Sequence, residues 1–379
     1  MKRLGLYLHI PFCRSKCLYC DFCSFPHPDL ELMRSYTEAL CRDLTRHALD
    51  CEEYTVDTVY LGGGTPTVLP VDCLERILNT VFSYYHISKD AECTAECNPA
   101  TADRALLSSL RSFGLNRLSL GVQSVHENEL RALGRLHRFS DVERSFEDAY
   151  AVGFSNLSVD VMFGIPKQTE ESYLGTLDAL CALSPTHVSA YGLTVEEGTP
   201  FGKKQREGRL LLPDEEETRR MYFSGRALLR SRGFSHYEIS NFAKAGYESR
   251  HNLKYWNCDE YLGFGVAAYS DFLGARFGNS HDVLAYIDDR AHLEEREEIT
   301  AEERKNEYVM LRMRLAAGVD VKDFEGRFGE CFEDRFGAAL RRYIPMRLIE
   351  RTENGYAFTP EGWYVSNAVL SEILDFSEK

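Results

Sequence analysis

The sequence predicts an α/β fold: a partial (β/α)6, TIM-like barrel followed by a mostly helical C-terminal domain. Two observations lead there. Up to about residue 235, β-rich runs alternate six times with longer amphipathic stretches, an order that implies a parallel sheet with right-handed crossovers. Glycine, proline and polar residues gather just past the ends of those runs, where α/β barrels build their sites. Periodicity alone fits an open doubly wound sheet equally well.

In chain order, strands are expected at 4–9, 55–61, 92–96, 117–121, 157–162 and 187–193. Helices are expected between them at 30–49, 69–84, 104–113, 141–151 and 170–183. Gly62, Gly63 and Gly64 follow the second strand, Glu96-Cys97-Asn98-Pro99 the third, Gly121-Val122-Gln123 the fourth and Gly164-Ile165-Pro166 the fifth. A cysteine-rich loop follows the first strand, so it belongs to the same face of the sheet.

Three regions result: the barrel at 1–235, an irregular, aromatic-rich segment at 236–300, and the C-terminal domain at 301–379. The middle segment holds His236, Tyr237, His251, Tyr255 and Trp256, and a charged stretch from 290 to 307 reads as a linker running into a solvated helix. Helices are then expected at 307–317, closed by Gly318, at 321–328 and at 336–343. Asn354-Gly355 between 348–351 and 356–359 signals a hairpin, with a last helix from Pro360. That order resembles a winged helix. A DNA-binding use is disfavoured by its charge, 12 Lys and Arg against 15 Asp and Glu, so a packing role is expected.

At 379 residues the chain is long enough for two domains or a barrel with an appendage. Its 44% hydrophobic and 27% charged residues suit an ordinary globular protein. A net charge of −15 argues against capture of nucleic acid or an anionic membrane, which leaves small molecules or proteins as partners. No apolar run approaches the ~20 residues that span a bilayer. The apolar run after Met1-Lys2-Arg3 contains His9 and Pro11 and lacks a small-residue cleavage site, so it reads as a buried strand and not a signal peptide. Twelve cysteines without a secretory signal fit reduced thiols, and a cytoplasmic location is expected.

Three of those cysteines carry most of the functional information. Cys13, Cys17 and Cys20 form a C-x3-C-x2-C run in one loop, and crowded thiolates suit an iron-sulfur cluster or zinc. Three ligands on a four-iron cluster leave one iron open, the arrangement that radical chemistry on S-adenosylmethionine needs. On the triad alone, zinc with Cys23 or His9 as a fourth ligand stays open. So does a ferredoxin-like run through Cys17, Cys20 and Cys23, although its next position holds His27 instead of cysteine.

Other positions add weaker signals. Gly62 to Pro66 lacks the Lys-Ser/Thr of a phosphate loop and the spacing of a dinucleotide fingerprint, so its glycines are read as letting backbone approach a ligand. Thr65 and Pro66 also fit a plain helix cap. Glu96, Gln123 and Arg135 lie at loop edges, where polar residues are commonly just solvated. Asp160 sits within the apolar run 157–162, where an unpaired carboxylate is costly; it suits the paired hydroxyls of a ribose, and Arg135 suits a ligand carboxylate. His251, near Tyr255 and Trp256, fits either a hydrogen-bonded interface histidine or the axial ligand of a heme iron.

Taken together, Tyr7 through Cys13, Cys17, Tyr19 through Phe22, Gly62 through Pro66, Gly121 through Ser124, and Asp160 with Gly164 through Gln168 resemble the radical S-adenosylmethionine proteins related to oxygen-independent coproporphyrinogen III dehydrogenase. The resemblance covers nearly the whole chain. It implies a partial barrel in which Cys13, Cys17 and Cys20 hold a 4Fe-4S cluster whose open iron binds S-adenosyl-L-methionine. It also implies cofactor contacts from Tyr7, Gly63, Gly64, Thr65, Glu96, Gln123, Arg135 and Asp160.

Two branches of that family differ around the triad. The dehydrogenases carry a longer extension before it and a fourth cysteine two residues after it, whereas here that position is Phe22 and Cys23 falls one residue further on. His251-Asn252-Leu253-Lys254-Tyr255-Trp256 resembles the HemW branch of heme chaperones, which implies heme as a ligand, His251 as its contact and a heme-acceptor protein as partner. A reductant protein such as a flavodoxin is a further expected partner. The expected function is therefore delivery of heme, with oxidative decarboxylation of coproporphyrinogen III as the alternative and electron transfer through a four-cysteine cluster as a third.

Overall fold

The computed structural model describes residues 1–99, 101–289 and 295–374. All six expected barrel strands are present: β1 (Lys2–Ile10), β2 (Tyr54–Gly63), β3 (Ile87–Cys97), β4 (Arg117–Gln123), β5 (Asn156–Phe163) and β6 (His187–Gly192). They pair in sequence order and in parallel, β1 to β6, which is the open barrel order. The connecting helices include Leu30–His47, Val71–Tyr84, Arg104–Ser112, Phe139–Ala151, Glu170–Ala182 and Glu215–Ser231. Four start where a side chain accepts from an otherwise unpaired backbone N–H, from Asp29, Asp103, Thr169 and Asp214.

The strands alternate, but polar side chains face inward. Leu118, Leu120, Leu157, Val159 and Val161 pack outward in one core that includes Leu177 and Leu180 of the surrounding helices. Each such fully buried side chain contributes about 2 kcal/mol. The opposite face of the same strands carries Thr94, Glu96, Arg117, Ser119, Ser158, Asp160, His187 and Ser189. A polar lumen of this kind needs partners for every group or a ligand in their place.

Residues 236–300 are not irregular, as the sequence suggested; they extend the sheet at both edges. Asn241–Ala243 pairs antiparallel with β6, and Ser235–Glu238 pairs with it in turn. Tyr261–Phe264 pairs in parallel with β1 and is followed by an antiparallel meander of Tyr269–Phe272, Ala275–Gly278 and Glu295–Glu298. Strands of three or four residues are too short to show a period, which hides them in the sequence. The start of the expected linker, residues 290–294, lies outside the described residues.

Helix Ala301–Arg312 opens the C-terminal domain, earlier than expected, under a Thr300–Glu303 capping box. Helix Val321–Phe328 ends at Gly329 in the left-handed conformation. The hairpin pairs Ile349–Arg351 with Gly355–Phe358, and Val319–Asp320 adds a third strand. Phe324, Phe332, Phe336, Leu340, Tyr356 and Trp363 form its own core. The domain joins the barrel edge through Ile239 N–H to the Arg314 carbonyl and Ala316 N–H to the Tyr237 carbonyl, both 2.9 Å. Among the described residues no helix is long and apolar enough to cross a membrane.

Candidate cofactor site

At the carboxyl ends of the strands lies a cavity of about 380 Å³. Cys13, Cys17 and Cys20 line it together with Gly63, Gly64, Thr65, Glu96, Gln123, Arg135 and Asp160. Seven of the nine expected cofactor contacts thus meet the triad in one place, although with the triad they come from the ends of five different strands.

The cysteine loop is held by backbone bonds at both ends and in its middle. Phe12–Cys13 bridges in parallel to Phe25–Pro26, and the His27 N–H donates to the Cys13 carbonyl at 3.0 Å. Leu18 N–H donates to the Leu133 carbonyl, and Phe201 N–H to the Leu18 carbonyl, both at 3.0 Å. Inside the loop, Cys20 N–H closes a turn on the Cys17 carbonyl at 3.2 Å. Leu18 and Tyr19 pack on a small apolar cluster of Leu133, Met162, Ile165 and Phe201, so the loop has its own support. Burial pushes the Cys13 and Cys20 thiols up from their ordinary range, and a metal cluster would have to displace those protons.

The glycines at the end of β2 act first on the protein itself. A side chain at Gly63, whose φ is +107°, would meet the His9 ring at 2.5 Å, and one at Gly64 would meet the Phe12 carbonyl oxygen at 2.6 Å. Their absence lets Thr65 N–H reach the Phe12 carbonyl at 2.7 Å and brings Thr65 Oγ1 to 3.7 Å from Cys13 Sγ. The loop therefore walls the triad while leaving Gly63 and Gly64 open to the cavity.

Two acids occupy the cavity floor. Glu96 accepts from Tyr60 O–H at 2.9 Å and from Gly63 N–H at 3.2 Å. Burial, and then the nearby Asp160, push its carboxyl up to about 7. Asp160 accepts from Ser119 Oγ at 3.1 Å and Tyr191 O–H at 3.4 Å, and burial likewise raises it, opposed by hydrogen bonds from Ser189 and Ser119. Register puts these groups side by side: Glu96 stands opposite Ser119, and Gly121 opposite Asp160.

Gln123 and Arg135 complete the wall. A register shift between Gly121 and Gln123, with Gln123 at φ +70°, turns its side chain into the cavity and leaves Oε1 unpartnered. Strain of that kind in a non-glycine residue marks a position that the surroundings enforce. Arg135 donates from Nη1 to Cys17 Sγ at 3.4 Å and from Nη2 to the Gly121 carbonyl, while its buried Nε has no partner among the described residues. Unpaired donors and acceptors beside two acids suit a ligand with amino, carboxylate and hydroxyl groups.

Tyr7 and His251 lie elsewhere. Tyr7 does not line the cavity; its O–H bonds His9 Nδ1 at 3.1 Å, and its ring stacks on Tyr60 and His251. His251 is 1% exposed, with Nδ1 2.8 Å from Thr58 Oγ1 and Nε2 2.8 Å from Tyr255 O–H. Burial, then the Lys254 charge, hold its ring down to about 3, so it is neutral. In this conformation both ring nitrogens are committed, and a heme iron would have to displace one of those partners.

The fourth-ligand candidates are also occupied. His9 bonds Tyr7 through Nδ1 and the Cys23 carbonyl through Nε2, at 2.9 Å. Cys23 Sγ points to the His281 carbonyl at 3.7 Å and does not line the cavity. Sequence reasoning missed Tyr60, Ser119 and Tyr191. Ser119 lies two positions before Gly121 on one strand face, so strand parity alone could have found it.

Comparison with known proteins agrees with this geometry. The Radical SAM superfamily model matches residues 7–180, and the HemN C-terminal domain model matches residues 299–365. The protein of Bacillus subtilis (strain 168) described as heme chaperone HemW is 35% identical over 373 residues, 97% of this chain and 98% of that one. The protein of the same description from Escherichia coli (strain K12) is 32% identical, covering 98% of both chains. The solved structure of coproporphyrinogen III oxidase (HemN) from Escherichia coli superposes with a TM-score of 0.87 at 22% identity, over 99% of this chain and 91% of that one, a likeness of fold.

Proposed function

The chain belongs to the radical SAM superfamily, in the branch of the heme chaperones HemW, and from that premise we propose that it binds heme in the cytoplasm and delivers it to acceptor proteins. The observation that carries the proposal is the near full-length match to two proteins described as heme chaperones. The family implies a 4Fe-4S cluster and S-adenosylmethionine, and the residues at the strand ends fit both. Cys13, Cys17 and Cys20 would hold the cluster, which supplies one electron to the bound cofactor. Glu96, Gly63 and Gly64 would orient the cofactor's amino end, Asp160 its ribose hydroxyls, and Arg135 and Gln123 its remaining polar groups.

Heme ligation by His251 is part of the proposal and carries a structural condition: Nε2 must leave Tyr255, which lies one turn further along the same helix, so the Tyr255 side chain must turn away from it. Anaerobic titration of the reconstituted protein with heme, followed by its main absorption band, tests both parts. Saturable binding by wild type is expected, with His251→Ala binding at least tenfold more weakly. Equal binding by the variant would remove His251 as ligand while leaving heme binding intact.

One observation favours a second reading. The whole cofactor constellation is assembled, with Gln123 Oε1 and Arg135 Nε left without protein partners, and a pure carrier has no use for it. Radical decarboxylation of two propionates of coproporphyrinogen III is that reading. Protoporphyrinogen formed from protein, S-adenosylmethionine and a low-potential reductant would support it, and no product under conditions where a known dehydrogenase turns over would end it.

A further inference from the structure

We propose that Arg135 sets the reduction potential of the cluster through a hydrogen bond to the Cys17 sulfur, in addition to facing the bound cofactor. The inference rests on the reading that the triad holds a four-iron cluster. Its geometric basis is the commitment of the guanidinium: Nη1 lies 3.4 Å from Cys17 Sγ and Nη2 bonds the Gly121 carbonyl, so two edges of the group are already used by the protein. Of its three nitrogens Nε alone, buried, has no partner among the described residues.

The position is built and not incidental. Helix Glu127–Leu133 ends at Gly134 in the left-handed conformation, φ +77°, and Arg135 N–H returns to the Leu130 carbonyl at 2.9 Å. That same turn carries the cysteine loop, because Leu18 N–H bonds the Leu133 carbonyl and the Leu18 side chain lies against Gly134. A side chain at Gly134 would come within 3.0 Å of Leu18 Cγ. Arg135 and Cys17 therefore sit on two segments docked through one helix end, and their separation is fixed by backbone contacts.

One-electron reduction adds a negative charge to the cluster and its sulfur ligands. A guanidinium donating to one of those sulfurs stabilises the reduced form more than the oxidised form, and so raises the potential. Arginine suits this better than lysine: its planar fork keeps one N–H on the sulfur while another stays on the Gly121 carbonyl.

The test is EPR-monitored redox titration of the anaerobically reconstituted full-length protein without S-adenosylmethionine, so that any role of Arg135 in holding that cofactor cannot move the result. Arg135→Met should shift the midpoint to more negative potential than wild type, Arg135→Gln should fall between, and Arg135→Lys should lie closest to wild type. Iron and sulfide content equal to wild type establishes that each variant is loaded; should Arg135→Met fail to load, the Gln and Lys variants carry the same comparison. A midpoint unchanged in a loaded Met or Gln variant would overturn the inference and leave the cluster reading intact. A wild type that takes up no four-iron cluster would instead remove the reading on which the inference stands.

Discussion

The two ends of this barrel are lined by the same kind of residue and do opposite things with it. At the carboxyl ends of the strands, Gln123 Oε1 and Arg135 Nε are buried without partners and Glu96 is held near neutrality. At the amino ends, helix Arg250–Trp256 closes the lumen and its polar groups find protein partners. Glu92 accepts from Arg250 and His251 N–H at 3.2 and 3.1 Å, and Lys254 pairs with Asp57 at 2.7 Å. Polarity inside a barrel does not by itself mark a site. What distinguishes the carboxyl end is that its unpaired groups, Gln123 Oε1 and Arg135 Nε, line a cavity where a ligand can repay their desolvation, whereas Thr94 Oγ1 and Arg117 Nε, also buried without partners among the described residues, lie outside it.

The largest test of that contrast is at the open end. Serine at Cys13, Cys17 or Cys20 should abolish the cluster, read as loss of bound iron and of its visible absorption, with little change in folding. Cys23→Ser should keep the cluster, since that thiol faces the His281 carbonyl outside the cavity. Iron lost in Cys23→Ser but retained in Cys13→Ser would reverse the assignment.

The closed end should respond in stability instead. Lys254 is 4% exposed, and Lys254→Met leaves Asp57 buried beside only the more distant Arg3 and Arg250, at 3.8 and 4.0 Å. Breaking a buried pair on one side costs about 3 kcal/mol, so urea unfolding should show a loss of that order while cluster content stays at the wild-type level. An unchanged unfolding midpoint would mean that the helix is not the stopper described here.

How far the sequence reveals these two ends differs, and the reason is range. The six barrel strands and the triad are local patterns, readable from alternation, turn residues and spacing. Glu96, Gln123 and Asp160 follow, because a strand end in a β/α repeat already says which face it joins. Ser119 is within reach of strand parity, but Tyr191 stays hidden: tyrosine is an ordinary strand residue, and only the pairing of β6 with β5 brings it to Asp160. The surroundings of His251 are least legible. Its partner Thr58 is 193 residues away, and nothing in the motif at 251–256 says that its helix returns to the far end of the barrel.

The smallest expected effect sharpens the contrast through pH. Glu96 has its carboxyl pushed up to about 7, first by burial and then by Asp160, so the free protein holds a proton there at pH 6 that an exposed glutamate would have released. A ligand bearing an ammonium and a sulfonium favours the carboxylate and must expel that proton when it binds below pH 7. Affinity for S-adenosylmethionine should therefore fall about tenfold per pH unit below about pH 7 and level off above it. Glu96→Gln should bind more weakly at high pH and lose the slope. Calorimetry from about pH 5.5 to about pH 8.5 reads both, and a flat wild-type profile would detach Glu96 from the ligand. His251, held down to about 3 first by burial, contributes no titration in that window, whereas Glu238, which burial raises to about 7, titrates within it but lies outside the cavity.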